Sequence, residues 1–170
     1  MTLKNRIIII LSIGIITISK SFGQNSPKQL GIDFFNALKS NDSTKIMKII
    51  PEPETLIEFS KSIGIKRNKK EITEFFTKYP NEVKQFINRF ENLKDYGIKL
   101  GIELEFAEFK DIEINTREQQ ISEEGKTIPV TDLNVIFNYK TKSYRLILNS
   151  IFEYNKVWFL AGDKPRLEKY

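Results

Sequence analysis

Beyond residue 25 the chain keeps two different hydrophobic rhythms, one in each half. Leu30, Phe34, Ala37 and Leu38 recur at steps of three and four behind Ser26-Pro27-Lys28-Gln29, which offers an N-cap, a first-turn proline and a glutamine three residues past the cap. The spacing predicts a helix stopped by Ser40-Asn41-Asp42-Ser43, which also caps a short second helix through Ile46, Met47, Ile49 and Ile50 that ends at Pro51. A third helix is expected over Glu54 to Ile63, with Leu56, Ile57 and Phe59 inward. Asn68 and Glu71 form a cap pair for a helix carrying Ile72, Phe75, Phe76 and Tyr79, which Pro80-Asn81 is expected to break or kink. Val83, Phe86, Ile87, Phe90 and Leu93 then give the clearest helical stripe of the chain, expected to close near Gly97.

After Gly97 the period falls to two. Ile98, Leu100, Ile102, Leu104 and Phe106 alternate with Lys99, Gly101, Glu103 and Glu105, which predicts a strand with one wet face, continued by Ile112 and Ile114. Thr116 to Lys126 reads as a polar loop. Leu133 to Tyr139, Tyr144 to Phe152 and Val157 to Ala161 read as strands joined by turns at Lys140-Thr141-Lys142 and Asn155-Lys156. Helices followed by an antiparallel meander make an α+β fold, with the helices covering one sheet face. Tyr144 to Phe152 is expected to put Tyr144, Leu146, Leu148 and Phe152 on one face, with Ile147 and Ile151 on the other, and Val157 to Ala161 is apolar on both. A second cover is therefore required. A homodimer packed through the sheet face would supply it, and so would the C-terminal segment or the polar loop.

The start of the chain has a separate logic. Lys4 and Arg6 precede an almost unbroken Ile/Leu run, and Ser21-Phe22-Gly23 sets small residues before Gln24, the layout of a secretory signal peptide over residues 1–23. The 13 uncharged residues between Arg6 and Lys20 span only about 20 Å as a helix, short of a hydrocarbon core of about 30 Å. The expected product is one exported domain, residues 24–170, periplasmic or extracellular, with no membrane attachment after cleavage. Charge then changes meaning. The whole chain carries +5, but removing Lys4, Arg6 and Lys20 leaves 24 basic against 22 acidic residues, which supplies no field for a nucleic acid.

Composition limits the chemistry further. With no histidine and no cysteine in 170 residues, imidazole bases, thiol nucleophiles, thiolate metal sites and disulfides are excluded, and neither a cofactor nor a metal is expected. Glu103 with Glu105, and Asp111 with Glu113, are carboxylate pairs best explained as a solvated sheet face. Lys66-Arg67-Asn68-Lys69-Lys70 lacks interleaved aromatics and reads as a solvated helix start. Asn41-Asp42-Ser43 fits a glycosylation acceptor but explains itself as a helix stop. Tyr139, Tyr144, Tyr154 and Trp158 could offer polar tips to a ligand, against the plainer reading as core aromatics.

The segment from Phe34-Phe35-Asn36-Ala37-Leu38 through Asp42 to Ile49-Ile50 resembles the opening of NTF2-like proteins, the group of ketosteroid isomerases and SnoaL-type cyclases. Tyr144 to Asp163, with Val157-Trp158-Phe159-Leu160, resembles that fold's last hairpin. The resemblance implies a curved sheet wrapped around helices to make a conical pocket, a fold that hosts enzymes and binders alike. It departs from the isomerases where they hold a tyrosine hydroxyl four residues before the helix leucine: here that position is Phe34, which has no proton to donate. The expectation is a non-catalytic domain binding a small apolar molecule or a protein partner, with Phe34, Phe137, Tyr139, Tyr144 and Trp158 as the ligand-lining residues. The alternative is an isomerase or hydrolase using Tyr and Asp/Glu in the cone.

Overall fold

A computed structural model describes residues 25–120, 127–160 and 164–170; the expected leader lies outside them. Helix α1 (Pro27–Ser40) starts as its sequence requires, with the Ser26 hydroxyl accepting the Gln29 N–H at 3.1 Å, and stops where Asn41 turns left-handed at φ 52°. Helix α2 (Ser43–Met47) is capped by Asp42, and α3 (Pro53–Ser62) follows Pro51. Helix α4 (Lys69–Lys99) opens on the expected capping box. Asn68 accepts from the Glu71 N–H at 3.0 Å, and Glu71 accepts from the Asn68 N–H at 2.8 Å.

Helix α4 corrects two expectations. Of the break or kink expected at Pro80 the break is absent, because both Pro80 and Phe76, whose carbonyl would have received the missing N–H, face solvent, where water can replace the lost bond. Nor is there a strand at Ile98. The helix runs through Lys99, then Gly101 at φ 72° reverses the chain, its N–H bonding the Ile98 carbonyl and the Ile102 N–H bonding the Gly97 carbonyl, each at 2.9 Å. A 3-10 turn over Leu104–Phe106 follows. Ile98 and Phe106 are 63% and 61% exposed while Ile102 and Leu104 are buried, so the alternating residues do not share one face.

Three 13-residue antiparallel strands carry the sheet: β1 (Glu108–Gln120), β2 (Thr127–Tyr139) and β3 (Lys142–Tyr154). The polar loop therefore begins later than expected, since residues 116–120 belong to β1. The far edge of β3 is shared by two short strands, β4 (Val157–Leu160) against Ile151 to Tyr154 and β5 (Arg166–Lys169) against Tyr144 to Ile147. The fold is α+β: helices followed by a curved, unclosed antiparallel sheet of five strands, an arrangement that fits the NTF2-like type. Helices α1 and α4 press Phe34, Phe35, Leu38, Phe86 and Phe90 onto Leu133, Val135, Phe137 and Leu146, the main core.

Ser150 alters the second sheet face. At φ 55° it is an extra residue in β3, so Thr131 pairs with Ile151 while Leu133 pairs with Leu148. The bulge exchanges the two residues that simple alternation had placed. Ile151 joins the main core with Leu148, and Phe152 turns to the other face, where it meets Phe159, Val130 and Ile128. Helix α3 packs there, with the Phe59 ring 5.2 Å from Phe152 and 5.6 Å from Phe159. At the other end of that face, buried Ile136 and Ile147 share the surface with a polar lattice. Within it Tyr170 and Asn134 both donate to Glu113 at 3.0 Å, and Arg145 pairs with Glu168 at 3.0 Å.

Candidate ligand cleft

The Ser150 bulge also marks where the sheet divides. Pairing between β2 and β3 ends at Thr131↔Ile151, yet β2 stays on β1 back to Thr127 and β3 stays on β4 out to Tyr154. Two ribbons thus diverge, and the end of α3 enters between them with Phe59 and Ile63. The space left is a cleft of about 340 Å³, within the range of small-ligand sites. Its walls are Phe59 and Ile63, Ile128 and Pro129, Phe152, and the half-buried Trp158.

Few polar groups reach this cleft. The Thr116 and Thr131 hydroxyls are 3.1 Å apart across β1 and β2, and the Ser62 hydroxyl is committed to the Phe59 carbonyl at 2.7 Å. The Tyr154 hydroxyl and the Trp158 indole N–H have no hydrogen-bond partner among the described residues. Glu153 is the one carboxylate in the lining, and it is exposed at the rim. The lining can bury an apolar body and includes two residues, Tyr154 and Trp158, with polar groups left for a ligand; its one carboxylate, Glu153, is exposed.

Of the five residues expected to line a ligand site, Trp158 is the one found in the lining of this cleft. Phe34 is fully buried, its ring edge-on to Phe86 at 6.5 Å and to Phe90 at 5.7 Å. Phe137 is sandwiched between Phe35 at 5.1 Å and Tyr144 at 5.7 Å. Tyr139 is buried apart from its hydroxyl, which donates to Glu103 at 2.6 Å. These four fill the space between helices and sheet where the resemblance implies a pocket, and none lines the cavities described here. Glu103 is not on a strand with Glu105; it precedes the 3-10 turn with a side chain 61% exposed and Lys140 at 3.9 Å. Tyr154, singled out with Trp158, does join it in the cleft. Thr116 and Thr131 carried no signal, because the first lay in the expected loop and the second depends on the bulge register.

A second cavity, about 210 Å³, lies between α3 and α4 against Leu56, Phe75 and Phe86. The Tyr79 hydroxyl closes it by donating to the Pro51 carbonyl. Burial, then the carboxylates of Glu52 and Glu54, push the Tyr79 hydroxyl up to about 12. Among the described residues no three acidic side chains converge to hold a metal ion, and no helix is long and apolar enough to cross a membrane. The basic run is partly engaged, with Arg67 over the Phe75 ring at 5.7 Å and Lys70 at 4.0 Å from Glu74. Compared with known proteins, the chain matches no family model, no curated protein and no solved structure.

Proposed function

We propose that this chain is an exported, NTF2-like, non-catalytic domain that binds a small apolar molecule carrying a hydrogen-bond acceptor, in the cleft between the diverging β2 and β3 ribbons. The observation that carries the reading is the cleft's make-up. Its body is Phe59, Ile63, Phe152 and Trp158, and its two unengaged polar tips, on Tyr154 and Trp158, are donors. Acid–base catalysis would require a carboxyl held in an apolar wall beside a tyrosine. The Tyr139–Glu103 pair brings the two groups together but leaves the carboxylate in solvent, which favours binding over isomerisation. The residues of the ligand site are then Trp158, Tyr154, Phe59 and Ile63 rather than the aromatic core.

Trp158 is the single tryptophan, so its fluorescence reports on the cleft alone. Titration with Nile red, an uncharged apolar dye with a carbonyl acceptor, should quench Trp158 saturably. Thr116→Phe, which fills the cleft from β1, should abolish the response while the fold is retained. Dye binding that leaves Trp158 unquenched, or quenching unaffected by Thr116→Phe, would overturn the assignment of the cleft. Absence of dye binding would turn the reading toward the protein-partner alternative.

A further inference from the structure

Among the described residues β1 has a strand partner on one side only. A long free edge offers unpaired N–H and C=O groups to another strand, and natural edges are usually guarded. Here the backbone guard, a bulge at Lys110 and the Asp111 carboxylate accepting the Ile112 N–H at 2.8 Å, lies toward one end, and the rest of the edge carries charges of both signs. Lys110 is an extra residue against β2, between Phe109↔Phe137 and Asp111↔Ile136, while the register from Asp111 to Gln120 is unbroken. In the middle of that regular stretch Ile114 is 48% exposed, although it shares a face with the buried Leu133.

The order of side chains along this edge is self-complementary. Two antiparallel copies related by a two-fold axis at Ile114 set Ile114 opposite itself, Glu113 opposite Asn115, Ile112 opposite Thr116 and Asp111 opposite Arg117. Just beyond, Lys110 falls opposite Glu118. No like charges meet. Moving the axis half a residue toward the N-terminus opposes Lys110 to Arg117, and moving it the other way opposes Asp111 to Glu118. An axis at Glu113 opposes that carboxylate to itself, and one at Asn115 pairs Glu113 with Arg117 but sets Ile112 against Glu118.

We propose that β1 is a homodimer interface in which two copies pair edge to edge about Ile114, joining two five-stranded sheets into one. This differs from the dimer expected from the sequence, which packs through the sheet face; that face now carries α3 at one end and the Glu113–Tyr170–Asn134 lattice at the other. Arg117 is held by Asp132 through Nε at 2.8 Å and by Gln119 through Nη1 at 3.3 Å, which fixes its charge on the strand opposite the second copy's Asp111. A strand edge buries little area, so the dimer should dissociate on dilution.

The chain has no cysteine, so Ile114→Cys supplies one thiol per copy. Across the axis the two β-carbons lie about 4.5–5.5 Å apart, close to disulfide reach. Glu118→Cys is the control, with its two copies about 27 Å apart at roughly 3.4 Å per residue. Mild oxidation should convert most of the first variant to a covalent dimer and little of the second. By sedimentation equilibrium the unmodified protein should show a reversible dimer, and Asp111→Arg, with its circular dichroism unchanged, should raise the dissociation constant roughly tenfold or more. Monomer alone at tens of micromolar would overturn the proposal, leaving the edge for a strand of another protein. Equal cross-linking of both thiol variants, or a dimer indifferent to Asp111→Arg, would overturn it as well, the latter in favour of the sheet face.

Discussion

The Asp132 carboxylate accepts the backbone N–H of Ser150 at 2.9 Å, fastening β2 to the bulge of β3 at the last point where the two strands pair. Its other oxygen takes the Arg117 Nε–H from β1 at 2.8 Å, so one side chain holds three strands at the root of the cleft. Asp132→Ala should cost about 1–3 kcal/mol in urea unfolding, the range for a hydrogen bond to a charged group. It should also weaken Nile red binding more than a distant surface change of equal stability cost.

Tyr79 gives the fold an alkaline limit. Its folded value, about 12, lies above the ordinary tyrosine value of about 10, so the neutral hydroxyl is the form the fold prefers. The contribution is complete below pH about 10 and is lost as pH rises toward about 12. Tyrosinate absorbance should show a group titrating toward about 12 that Tyr79→Phe removes, distinct from Tyr170, whose hydroxyl is also raised by its bond to Glu113. That variant also leaves the Pro51 carbonyl without its partner, at about 1 kcal/mol of stability.

The proposed kinship with ketosteroid isomerases would put Phe34 where those enzymes hold a catalytic tyrosine. Phe34→Tyr should not create activity: it would press a hydroxyl into a fully buried site against Phe86 and Phe90, costing about 1–3 kcal/mol. Phe34→Ala should cost about 3–5 kcal/mol. Ketosteroid turnover by the tyrosine variant would reverse the non-catalytic reading.

Gly101 ends α4 at φ 72° with open space where a β-carbon would sit. Gly101→Ala therefore meets backbone strain and no clash, and should lower stability by about 1 kcal/mol in thermal or urea unfolding.

The strands were legible where both faces of the periodicity agreed with burial. Leu133, Val135, Phe137 and Tyr139 alternate with Asn134 and Asn138, and β2 covers the expected Leu133 to Tyr139, though it begins earlier, at Thr127. The helix starts were equally plain, because Ser26 and Asn68 carry their own caps. What could not be read was set by single backbone choices. At Gly101 a left-handed residue turned an apparent strand into a helix end, and at Ser150 another exchanged the faces of Ile151 and Phe152. The cleft depends on the second of these, so only Tyr154 and Trp158 could be singled out in advance. β5 was missed because its four residues contribute one buried side chain, Leu167, too few to show a period.

The division of one β3 edge between β4 and β5 makes the two sides of the sheet unequal in endurance. The β1–β2–β3 side is knitted by ladders 12 and 8 residue pairs long, whereas β4 and β5 each hold on by four. Amide protons of Arg166 to Lys169 should therefore exchange through excursions of the C-terminal strand alone, well before the long ladders open. Each such excursion uncovers Leu167 and the flank of α4 beside Gly97 while the β1–β2–β3 framework stays whole. The short seams among the described residues thus lie along one edge of β3, one at the C-terminal strand and one at β4, which carries Trp158 of the cleft.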